Sequence, residues 1–107
     1  MLDYEISPAD AAQLMREQSA RFIDVREPGE FAATRIEGSV AIPMGEIPSR
    51  APQELKPDDR LVIVCHHGVR SMNVTVWLRR QGFQNAQSLR GGIDAWSVDV
   101  DPGVARY

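Results

Sequence analysis

Leu61-Val62-Ile63-Val64 is the stretch that most limits what this chain can fold into. Four apolar residues without polar alternation predict a strand covered on both faces, and so a sheet with a layer on each side. Cys65 follows directly, then His66, His67, Gly68, Val69, Arg70 and Ser71, and a helical pattern runs from Ser71 to Gln81. A strand that runs into a helix start gathers unpaired backbone N–H groups around one point, with the positive helix end behind them. A thiolate at that point is stabilised by those donors. A lone cysteine at a strand end is ordinarily a small buried hydrophobe. Here polar residues follow it, Gly68 permits a tight curl, and Arg70 closes the loop with a fixed cation. Cys65 is therefore read as reactive.

The remaining segments supply the layers. Tyr4-Glu5-Ile6 is a short first strand, and Ser7 caps a helix with Pro8 at its first position, running to about Gln18. Arg21 to Val25 is a strand, Glu30 to Ile36 a short helix, Gly38 a break, and Ser39 to Pro43 a third strand stopped by proline. Met44 to Lys56, with Gly45, Pro48 and Pro52, is expected to be a linker with one short helix, and Pro57-Asp58-Asp59 a turn. On the helix after the cysteine loop, Met72, Val74, Thr75 and Leu78 follow the spacing of a buried face. Trp77 caps the core, while Arg79 and Arg80 suit the negative helix end. Ala86 to Leu89 is the last strand, Arg90-Gly91-Gly92 its turn, and Ile93 to Val98 a final helix with Trp96 inward; Val104 to Tyr107 is a tail. Strands alternating with helices predict an α/β fold with a mostly parallel sheet and helices on both faces.

Composition narrows the functional classes. With 107 residues the chain makes one domain, residues 1–107, large enough for a core without disulfides. A net charge of -3 gives no basic footprint for nucleic acid. No run approaches the ~18 apolar residues of a membrane span, and Met1 to Glu5 carries no signal-peptide pattern. The single cysteine excludes an internal disulfide and suits a reducing, cytoplasmic setting. Asp24 and Arg26 stand at a strand's carboxyl end, where an open α/β sheet places its site. Taken alone they fit a solvated loop with local ion pairs better than a site.

Four blocks together resemble the rhodanese (sulfurtransferase) family, in particular its small single-domain bacterial members. They are Asp24-Val25-Arg26-Glu27-Pro28-Gly29-Glu30-Phe31, Ile36-Glu37-Gly38-Ser39-Val40-Ala41-Ile42-Pro43, Cys65-His66-His67-Gly68-Val69-Arg70-Ser71 and Leu89-Arg90-Gly91-Gly92-Ile93-Asp94-Ala95-Trp96. One departure is Thr34-Arg35, where the family usually has Gly-His before the isoleucine. The resemblance implies a five-stranded sheet, Cys65 as nucleophile, a substrate-binding loop over His66, His67, Gly68, Val69, Arg70 and Ser71, and Asp24 and Arg26 as supports of that loop. It also implies no metal and no cofactor beyond a covalent cysteine persulfide.

The implied reaction moves a sulfane sulfur from thiosulfate or a similar donor through a Cys65 persulfide to cyanide or a thiol. That thiol belongs to a small molecule or a thioredoxin-like protein. Arg70 and two histidines form the loop's positive field, and histidine is only partly charged at neutral pH. A dedicated persulfide carrier serving one protein partner is an alternative, as is an interaction module that keeps the fold without the reaction. A cysteine phosphatase is a further alternative. In the resembling families phosphatases have five residues between cysteine and arginine, whereas His66, His67, Gly68 and Val69 make four. A metal site on Cys65, His66 and His67 lacks any further cysteine or histidine to complete it.

Overall fold

A computed structural model describes residues 1–107. Five strands, β1 (Glu5–Ile6), β2 (Arg21–Asp24), β3 (Val40–Ala41), β4 (Leu61–Val64) and β5 (Ala86–Leu89), form one sheet in the order β1-β5-β4-β2-β3. Every neighbouring pair is parallel. The five α-helices are α1 (Pro8–Arg16), α2 (Pro28–Ala33), α3 (Ile47–Glu54), α4 (Val69–Arg80) and α5 (Gly92–Asp99).

The absence of alternation in β4 has a direct cause. Leu61, Ile63 and Cys65 point to one face, where they pack with Ile47, Ala51, Val74 and Leu78 from α3 and α4. Val62 and Val64 point to the other, against Ala11 and Ala12 of α1 and Ile93 and Trp96 of α5. The strand is central and apolar on both sides because each side has its own core. All four of its residues are completely buried.

Local signals set several boundaries. Ser7 Oγ accepts from the Asp10 N–H at 3.1 Å, with Pro8 opening α1 as expected. Helix α2 starts at Pro28 rather than Glu30 and ends at Ala33, so Ile36 is a buried loop residue. Proline belongs at a first helical position, and the Glu30 carboxylate accepts from the Glu27 N–H at 3.0 Å, a capping contact that fixes the start. Strand β3 covers only Val40–Ala41 of the expected Ser39–Pro43, although the Ile42 N–H still reaches Asp24 O at 2.9 Å. The proline-bearing linker is helical over most of its length: a 3-10 turn at Met44–Glu46 leads into α3, with Pro48 in the first turn and Pro52 inside. Ile47 and Ala51 anchor it.

Two further expectations are corrected. Arg79 is not a surface residue answering the helix dipole. Its guanidinium turns inward and donates to Ala86 O, Leu2 O and Asp3 O at 2.9, 2.9 and 2.6 Å, with Tyr4 stacked over it. It ties the entry of β1 to α4 and β5. The segment Val104–Tyr107 is no free tail either: Val104 is buried against α5, and Tyr107 reaches the cysteine loop.

Candidate active site

Cys65 leaves β4 at the carboxyl edge of the sheet and is only 1% exposed. Three residues later Gly68 takes a left-handed conformation, φ 107°, and α4 begins at Val69. Glycine is the residue that tolerates this turn. The expected start at Ser71 is therefore two residues late, and Val69, Arg70 and Ser71 form the first turn of α4. The first intrahelical bond runs from the Met72 N–H to Gly68 O at 3.1 Å, so the N–H groups before it have no helical partner. The Gly68 N–H points at Sγ of Cys65 at 3.0 Å, and Ser71 Oγ lies 3.3 Å from the same sulfur. Behind Ser71 stands Ser88 of β5, the hydroxyls 2.7 Å apart and both buried. Ser88 sits between Gln87 and Leu89 in a short strand, and nothing in its neighbourhood in sequence marks it.

Two of the loop's carbonyls are engaged on the side away from the helix start. Ile93 and Asp94, in the first turn of α5, donate to Cys65 O and His66 O at 2.8 and 3.1 Å. This close approach requires Gly92, since a β-carbon there would overlap the carbonyls of Cys65 and His66. Gly92 was visible as part of a family block; its role depends on a fold that lays β5's turn beneath the loop.

Arg70 is closed off rather than free. Its guanidinium grips Glu30 of α2 with both nitrogens, at 2.8 and 3.0 Å. The Tyr107 hydroxyl donates to the same carboxylate at 2.7 Å and accepts from Arg26 Nη1 at 3.0 Å. The Arg70 bond, helped by Tyr107 and the Glu27 N–H, holds the Glu30 carboxyl down at about 2 against the opposing cost of burial. Burial pushes the Tyr107 phenol up, with Arg26 opposing and Glu30 assisting. Arg70 is pushed further into its charged form by Glu30.

Asp24 and Arg26 are both fully buried and bonded to each other through Nε and Nη2 at 2.9 and 2.8 Å. Burial works against the Arg26 charge, but the bonds to Asp24 and Tyr107 outweigh it and raise its pKa. Arg26 Nη2 also donates to Thr34 O at 2.6 Å. The Thr34-Arg35 departure is harmless to this contact, which uses only backbone. The pair reaches the loop indirectly, through Tyr107, whose ring stacks on His66 with centroids 3.9 Å apart and planes at 10°.

His66 and His67 stack in turn at 3.8 Å and 22°. The fold supplies what the sequence lacked for a metal cluster, bringing Asp94 within 4.8 Å of both histidines. The arrangement fits a metal poorly. Stacked imidazoles aim their lone pairs side by side rather than at one point. Asp94 is also occupied by Arg106, at 2.8 and 3.2 Å, which holds its pKa low. His66 Nε2 is buried without a hydrogen-bond partner.

The site thus offers a buried thiol beneath unpaired N–H groups, able to hold a small anion or a sulfur-bound negative charge. The sequence profile of the rhodanese-like domain matches residues 7–99. Thiosulfate sulfurtransferase GlpE from Pseudomonas fluorescens is 35% identical over 106 residues, covering 99% of this chain and 96% of that protein. The Pseudomonas syringae protein of the same name is also 35% identical, with 90% of each chain covered. Rhodanese-like/PpiC domain-containing protein 12, chloroplastic, from Arabidopsis thaliana is 37% identical, and the match spans 30% of its length. Among solved structures, the human single domain sulfurtransferase TSTD1 superposes with a TM-score of 0.87 at 27% identity, covering 92% of this chain and 98% of that one. No helix is long and apolar enough to cross a membrane.

Proposed function

This chain belongs to the rhodanese-like domain family, and from that premise we propose that it is an enzyme carrying sulfane sulfur on Cys65 from a small donor, such as thiosulfate, to a thiol. One observation carries the reading: the Cys65 sulfur accepts the Gly68 N–H at 3.0 Å at the point where α4 begins, so the positive end of that helix stands beside it. In the first half-reaction the thiolate attacks the donor's outer sulfur. The sulfur–sulfur bond of thiosulfate breaks, and sulfite leaves with the electron pair. The new persulfide carries one negative charge on its terminal sulfur, which the loop N–H groups stabilise. In the second half-reaction the acceptor attacks that terminal sulfur and Cys65 leaves as thiolate. Cyanide serves as acceptor in the test tube; a small-molecule thiol or a thioredoxin-like protein fits the physiological role. A covalent intermediate of this kind needs no metal or organic cofactor.

Three residues, His66 to Gly68, separate Cys65 from α4. A ring that small suits one sulfur atom better than a tetrahedral phosphate. The test is intact mass after incubation with excess thiosulfate. The protein should gain one sulfur atom, lose it on addition of cyanide or thiol, and fail to gain it as Cys65→Ala. Sulfur transfer surviving in Cys65→Ala would overturn the mechanism, because the chain has no other cysteine.

A further inference from the structure

The sulfur-transfer reading leaves open what the donor looks like, and the charges around the loop bear on that. Thiosulfate brings two negative charges. The loop N–H groups serve the one that ends on the outer sulfur, and the sulfonate end requires a cation of its own. Arg70 is the loop's fixed cation, and both of its terminal nitrogens are spent on Glu30 at 2.8 and 3.0 Å. Glu30 does not swing away freely, because Tyr107 and the Glu27 N–H hold it at 2.7 and 3.0 Å. The next cations outward are matched in the same way: Arg26 by Asp24, and Arg106 by Asp94. Each of these three arginines is therefore paired with a carboxylate, and none of the three is left as a free cation beside the loop.

Building on the persulfide reading, we infer that Glu30 is a specificity-determining residue, and that it turns this site toward sulfane donors of one negative charge or none. A thiosulfonate illustrates the class. The Cys65 thiolate attacks its outer sulfur, the sulfur–sulfur bond breaks, and a sulfinate leaves with the electron pair. The step balances as it does for thiosulfate, with one negative charge fewer on donor and leaving group.

The experiment compares thiosulfate with methanethiosulfonate as donors to the wild-type protein and to Glu30→Gln, at pH 8 and low ionic strength. The two donors differ in intrinsic reactivity, so the readout is how their ratio of kcat/KM changes between the proteins. Freeing Arg70 should raise thiosulfate relative to methanethiosulfonate by about fivefold, the effect of one added charge acting across several ångströms of partly hydrated protein. An unchanged ratio overturns the inference. A second measurement needs no variant. In the wild-type protein, thiosulfate kcat/KM should stay flat or rise between low and moderate salt, whereas a net positive pocket would make it fall steeply. A steep fall overturns the inference even if Glu30→Gln folds poorly. If neither donor adds sulfur to Cys65 in the wild-type protein, the persulfide reading itself has failed.

Discussion

Asp24–Arg26 and Glu30–Arg70 join the same two chemical groups on neighbouring parts of the sheet's carboxyl edge, and Tyr107 touches both pairs. In the first pair both side chains are 0% exposed, and the arginine also satisfies Thr34 O and Tyr107. In the second, the side chains are 32% and 23% exposed, and the arginine's bonds go to one carboxylate. A buried pair cannot lose one member without stranding the other, so its value is structural. A partly exposed pair can lose one member at small cost in stability, because water reaches the charge left behind, and this suits a group that sets the charge of a binding site. Burial, more than the chemistry of the pair, decides which role each one has.

The comparison breaks most readily at Arg26. Arg26→Ala leaves the Asp24 carboxylate and Thr34 carbonyl without their partner in the interior, and should cost about 3–5 kcal/mol of stability. Urea denaturation would measure it. A change within the noise would mean that water or a neighbour rescues Asp24, and that the pair is not structural.

Arg70→Ala should show the reverse pattern. Stability should move by no more than about 1 kcal/mol. Glu30 would then stand uncompensated beside the loop, and kcat/KM for thiosulfate should drop by about tenfold, with a smaller loss for a singly charged donor. A large drop in melting temperature with donor preference unchanged would reverse the roles assigned to the two pairs.

The smallest effect is a pH dependence. Glu30 sits at about 2 in the folded protein, below its ordinary 4.5. Its contribution is therefore fully present above the unfolded value and lost as pH falls from about 4.5 towards 2. After solvent screening it amounts to about 1 kcal/mol. Melts of wild-type protein and Glu30→Gln should differ by a constant amount above pH 5 and converge near pH 2. Curves that stay parallel to pH 2 would show that the carboxylate contributes nothing through its charge.

The parts of this molecule that were readable in advance are those whose causes are local. The run Leu61–Val64, the Ser7–Pro8 helix start and the Ala86–Leu89 strand all occur where pattern and capping place them. Cys65 was readable because a strand, a glycine and a helix meet within a few residues. The charge-setting part of the site was not, since Arg70 and Glu30 are 40 residues apart, and Tyr107 lies 77 from Glu30 and 81 from Arg26. No periodicity links such positions. The inward turn of Arg79 has a related cause: its place near a helix end fits the dipole explanation, while its partners Leu2 and Asp3 lie at the far end of the chain. The start of α2 at Pro28 is local too, since proline suits a first helical position and the Glu27–Glu30 spacing is that of a capping box.

The single cysteine has a consequence for how this protein ages. A thiol with a neighbour can escape oxidation by closing a disulfide that a reductant later opens. Cys65 has no such neighbour anywhere in the chain. A sulfenic acid formed there finds no internal thiol to condense with, and continued peroxide exposure carries it on to the sulfinic and sulfonic acids. Burial slows the first step, because the sulfur lies beneath its own loop. Once that step is taken, only a thiol arriving from outside can bring the protein back.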